Sequence, residues 1–152
     1  MKNENSVVEL RLQRLARKAL ALAPRGCVRN DVLVVSKVNK VSDQELQIEW
    51  WGRDVHPWDR DLPPSRQDEL FSQQALQDTE SAVLRLFQKL PDINQIDFRA
   101  LAPSAAHRVI LAGMVERDDI IDACRSQSIK MRLMMMGVRF LMAGGHLEPL
   151  PA

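Results

Sequence analysis

The hydrophobic period of this chain switches four times between about 3.6 and about 2 residues, and that alternation constrains its fold more than any other feature. Val8, Leu12, Leu15, Ala19 and Leu22 recur at helical spacing, so a helix is expected over Ser6–Ala23, ended by Pro24 and Gly26. Val32–Val38 is then β-branched and apolar, with Val32, Val34 and Val38 on one face and Leu33 and Val35 on the other. Glu45–Trp51 alternates, with Leu46, Ile48 and Trp50 inward, and the polar Asn39–Gln44 between the two runs reads as a hairpin loop. A second helical stripe, Leu76, Thr79, Val83, Leu86, Phe87 and Leu90, predicts a helix over Gln67–Leu90. Pro91 stops it, and a break near Ser72 or Asp78 is an open alternative. Two more strands come next, Gln95–Leu101 and Arg108–Glu116, joined by Pro103–Ala106 as a second antiparallel hairpin. A last helix is expected to end at Ala143, before Gly144 and Gly145, starting at Asp119, Ser126 or Ser128, with an extended tail after it.

This order, α-β-β-α-β-β-α, places the chain in the α+β class. The expectation is one domain over residues 1–152, a four-stranded antiparallel sheet packed by helices on one face. Two-sided apolarity puts the first strand inside the sheet. The other face then meets solvent or a second subunit, and the mixture of Leu33, Val35 and Trp51 with Lys37 and Glu49 favours a homodimer. The order of helices and hairpins is similar to that of small dimeric chaperones for secreted effectors. That likeness is one of architecture, which does not assign function, and the near-neutral charge does not support it.

At 45% hydrophobic and 27% charged residues, with a net charge of +1, the composition argues against disorder and supplies no global field to attract nucleic acid or an anionic membrane. The most apolar run, Met131–Met142, is broken by Arg132 and Arg139 and falls short of the ~20 residues of a membrane span. Met1–Ser6 is polar, and Glu9, Arg11, Arg14, Arg17 and Lys18 interrupt the apolar positions after it, so no signal peptide is expected. Cys27 and Cys124 lack CxxC spacing and read as reduced, buried thiols of a cytoplasmic protein.

Reactive side chains concentrate in the proline-rich loop after Trp51. Asp54, His56, Asp59 and Asp61 are the residue types of a general base or a metal ligand, but no HxH, HxxxH or HExxH spacing accompanies them. The same residues, with Arg53 and Arg60, also make local ion pairs and turn bonds, with Trp58 pinning the loop to the core. Trp50, Trp51 and Trp58 are all the tryptophans, and strand geometry sends Trp50 and Trp51 to opposite faces. One of that pair is therefore exposed unless a loop, ligand or partner covers it, and tryptophan is enriched at interface hot spots. The leading expectation is a non-catalytic protein-binding or self-associating protein that uses Trp51, Arg53, His56, Trp58 and Asp59. A first alternative is nucleic-acid binding through basic faces of the first and last helices, Arg11, Arg14 and Lys18 with Arg132 and Arg139, although no helix-turn-helix, RNP or zinc-finger signature is present. A second is an enzyme centred on His56. No nucleophile elbow, glycine-rich phosphate loop or Ser/His/Asp arrangement occurs, so no catalytic residue, cofactor or metal is assigned. Gly113, alone within a strand, marks a bulge or close packing.

Overall fold

The computed structural model of the chain describes residues 2–21, 33–55, 57–103, 106, 108–123 and 128–151. His56, His107, both cysteines, Pro24, Gly26 and Arg125 lie outside the described residues. The elements are α1 (Lys2–Ala19), β1 (Val34–Lys40), β2 (Glu45–Trp51), a 3-10 turn (Pro57–Asp59), α2 (Pro64–Lys89), β3 (Gln95–Leu101), β4 (Val109–Glu116), α3 (Arg117–Ala123), α4 (Ile129–Met135), β5 (Val138–Ala143) and β6 (His146–Glu148).

The α+β class holds, whereas the four-stranded antiparallel sheet is corrected. The strands form one six-stranded mixed sheet in the order β1-β2-β3-β4-β5-β6, antiparallel throughout except for the parallel pair β2–β3. Both expected hairpins are there, and α2 dictates how they join. It carries the chain from the end of β2 back to its beginning, so Gln95 comes to lie opposite Glu45 and β3 runs alongside β2. The N–H groups of Asn94 and Gln95 both donate to the Gln44 carbonyl, at 2.8 and 3.1 Å, and secure that return.

The last helix is also corrected. α4 stops at Met135, and Gly137 comes two residues later with φ of 91°, a left-handed conformation that ends a helix. Val138–Ala143 then leaves as β5, and Gly144 and Gly145 turn it into β6 instead of stopping a helix. The turn at Gly137 lies against Gly113, where a Cβ would stand 2.6 Å from the Gly137 carbonyl oxygen. Gly113 thus marks a close backbone approach. A third correction concerns β1, which is an edge strand. A register shift between Val35 and Lys37 puts Val34 on the opposite face from Val38, so Val34 is exposed and Val38 buried.

Alternation decides what the sheet's inner face carries. Trp50 stacks on Phe98 with ring centroids 5.0 Å apart, beside Leu46, Ile48, Ile96, Leu111 and Val115. Leu12, Ala16 and Ala19 of α1, Leu20 just after it, and Leu76, Val83, Leu86 and Phe87 of α2 complete this cluster, while Val8, expected in it, is exposed. On the outer face Val34, Lys37, Gln47, Arg99, Met114, Arg139 and Leu141 are all exposed.

With 26 residues, α2 is roughly 39 Å long, against roughly 23 Å for a seven-residue strand, so it overhangs the sheet. The β5–β6 hairpin packs onto α2, where the Leu147 N–H donates to Ser72 Oγ at 2.8 Å. At the other end of α2, the Arg117 guanidinium donates to the carbonyls of Phe87, Leu90, Pro91 and Ile93 and lies 4.8 Å from the Phe87 ring centroid. A cation there meets the Phe87 carbonyl in the last turn of α2 and those of the segment that follows it. Among the described residues no helix is long and apolar enough to cross a membrane.

Candidate functional site

The loop after β2 is mounted on one face of α2. Gln67, Gln74 and Asp78 recur at spacings of seven and four, which aligns them along the helix. The Arg53 guanidinium donates through Nε and Nη2 to the two oxygens of Asp78, each at 2.7 Å, with side chains only 18% and 9% exposed. Gln74 Nε2 donates to the carbonyls of Arg53 and Asp54 at 3.2 and 3.4 Å. Gln67 Nε2 donates to those of Arg60 and Leu62 at 2.8 and 2.7 Å. Asp54 Oδ1 accepts the Val55 N–H at 2.8 Å.

On this mount Trp58 is 86% exposed. The expectation that it pins the loop to the core is therefore overturned: polar bonds from α2 hold the loop, and Arg53 pairs with the carboxylate of Asp78 on that helix. Trp51 is half-buried at the end of β2, on the face opposite Trp50, and Asp59 is half-buried in the 3-10 turn. Among the described residues no group of three or more His, Cys, Asp or Glu side chains could hold a metal ion.

A second place carries no signature in the sequence. β4 and β5 pair over three positions only, Leu111–Gly113 with Val138–Phe140. Beyond them the hairpin swings onto α2, and the Val109 carbonyl accepts the N–H of Leu150 in the C-terminal tail at 2.8 Å. A half-open cleft of about 1040 Å³ is left on the outer face. Arg99, Arg108 and Arg139 line it, and strand register places Arg99, Ala112 and Arg139 side by side. All three arginines are exposed, none forms an ion pair among the described residues, and no described carboxylate lines the cleft. Phe140 and Leu141 of β5 and Pro149, Leu150 and Pro151 of the tail supply an apolar wall.

The basic residues expected to share a face of the last helix are separated. Arg132 sits on α4 in a two-bond ion pair with Glu80 of α2, at 2.7 and 3.0 Å, while Arg139 belongs to β5. Arg11, Arg14 and Lys18 are exposed on α1. Alternation along β3 is the only sequence signal for an outward Arg99. Its meeting with Arg139 depends on a strand whose sequence pattern reads as helix.

No family model, no curated protein and no solved structure matches this chain.

Proposed function

We propose that this chain is a non-catalytic interaction protein that pairs with a second copy of itself through the turn around Trp58. One observation carries the reading: a tryptophan 86% exposed on a loop whose backbone is held by the side chains of Gln67 and Gln74. A ring presented this way loses little conformational freedom on docking, because its mount is already ordered. Covering it buries on the order of 200 Å², worth roughly 5 kcal/mol at 25 cal/mol per Å² before the costs of association. Charge favours a second copy as the occupant. Asp59, Arg60 and Asp61 alternate in sign beside the ring, so a two-fold axis sets each copy's Arg60 against the other's carboxylates. Half-buried Trp51 and exposed Val34, neighbours in register at the end of β2, extend the apolar contact.

Sedimentation velocity over a concentration series tests the proposal. Dimer is expected to accumulate with concentration, and Trp58→Ala weakens it by about 30-fold or more, the loss typical of an interface hot spot. At concentrations low enough for the wild type to be monomeric, the two melting temperatures should agree, since an exposed ring contributes little to folding. A wild-type chain that stays monomeric at every concentration overturns self-association.

A further inference from the structure

We infer that the cleft between β4, β5 and the C-terminal tail is a second binding site, for a small amphipathic anion that carries a carboxylate or phosphate headgroup on a hydrocarbon body. Three guanidinium groups line one concavity that no described carboxylate lines, and none of them forms an ion pair among the described residues. On the rung Arg99–Ala112–Arg139 the outer two Cα atoms stand roughly 10 Å apart, two strand spacings, and the small side chain of Ala112 leaves a notch between them. An oxyanion seated there meets planar, forked donors from both sides, and Arg108 adds a third positive charge.

A headgroup alone does not account for the remaining walls. Phe140, Leu141 and the Pro149–Pro151 tail segment are apolar, and the hydrogen bond from Leu150 to Val109 holds the tail in place, so the wall is formed before any ligand arrives. The volume of about 1040 Å³ matches the upper end of small-molecule pockets and leaves room for a body as well as a head. Its direction is also determined. Glu49 lies opposite Arg99 in register, and Asp97 precedes it by two on the same face of β3, so negative charge closes the β2 side. The hydrocarbon therefore runs the other way, along β5 and the tail. This site uses none of the residues assigned to self-association.

Titration calorimetry with octanoate, octyl phosphate, octanol and inorganic phosphate tests the inference. Both octyl anions are expected to bind, the tighter one identifying the headgroup, and octanol and inorganic phosphate to bind at least about tenfold more weakly. Arg99→Gln and Arg139→Gln should each lower affinity for the anions about tenfold or more, as loss of a charge-assisted hydrogen bond does. Arg14→Gln on α1 and Trp58→Ala should leave binding unchanged, the second separating this site from the self-association proposal. Leu141→Asp, which puts a negative charge at an exposed wall position, reproduces the loss without touching an arginine. The inference is overturned by any of four results: no binding of either anion, octanol as tight as the anions, inorganic phosphate as tight as octyl phosphate, or arginine variants with wild-type affinity.

Discussion

Asp78→Ala removes the carboxylate that faces Arg53 and leaves a guanidinium only 18% exposed against α2. Breaking a fully buried ion pair costs about 3–5 kcal/mol, and an exposed pair contributes about 0.2–1. With two bonds of 2.7 Å and side chains 18% and 9% exposed, this pair belongs nearer the first limit, so about 2–3 kcal/mol is expected. For a chain of 152 residues, that lowers the melting temperature by roughly 4–12 °C. Arg53→Met should cost a similar amount. Arg53→Met/Asp78→Ala should cost no more than either single change, because both charges leave together. Urea denaturation of the four proteins then yields a coupling energy on the order of 2 kcal/mol. The same single variants are expected to weaken self-association although Trp58 is untouched, because Arg53 is one of the braces under its loop. Additive single effects, each below about 0.5 kcal/mol, would show a pair that behaves like a surface contact and would refute the bracing argument.

Two further substitutions probe the frame around the sites. Gly113→Ala places a methyl 2.6 Å from the Gly137 carbonyl oxygen and 3.0 Å from the Val138 Cα, both backbone atoms, so a loss of about 1–3 kcal/mol in urea denaturation is expected along with impaired anion binding as β5 is displaced. Unchanged stability would mean that the turn yields freely. Arg117→Gln should lower stability by about 2–3 kcal/mol in thermal unfolding, through loss of the carbonyl cap on α2, and Arg117→Lys should recover little because one ammonium cannot reach carbonyls spread over Phe87 to Ile93. Full recovery by lysine would reduce the role of Arg117 to its charge.

Much of the local structure is legible along the chain. Glu45–Trp51 and Gln95–Leu101 are strands over the very bounds that alternation predicts, and Trp50 is the inward member of its pair. The site is less legible. Sequence makes Trp58 a candidate but a buried anchor, because the bonds that render an anchor unnecessary come from Gln67 and Gln74 on another element. Ser72 and Asp78, which suggest breaks in a helix, lie within a continuous α2 and receive its tertiary contacts, from the Leu147 N–H and from Arg53. The run Met131–Ala143 is apolar at both periods, so periodicity does not divide it, and the division falls at Gly137 rather than at Gly144.

Side-chain pattern over a few neighbouring residues is thus enough to say where most of this chain is helix or strand and which side of each strand turns inward, because those properties depend on local spacing alone. Tertiary structure decided the rest: the parallel joining of the two hairpins, the addition of β5 and β6, and the cleft where Arg99 meets Arg139. Backbone hydrogen-bonding groups are the same in every strand, so which edges pair is settled by how the whole chain packs, with α2 as the crossover and Gly113 and Gly137 permitting the closest approach.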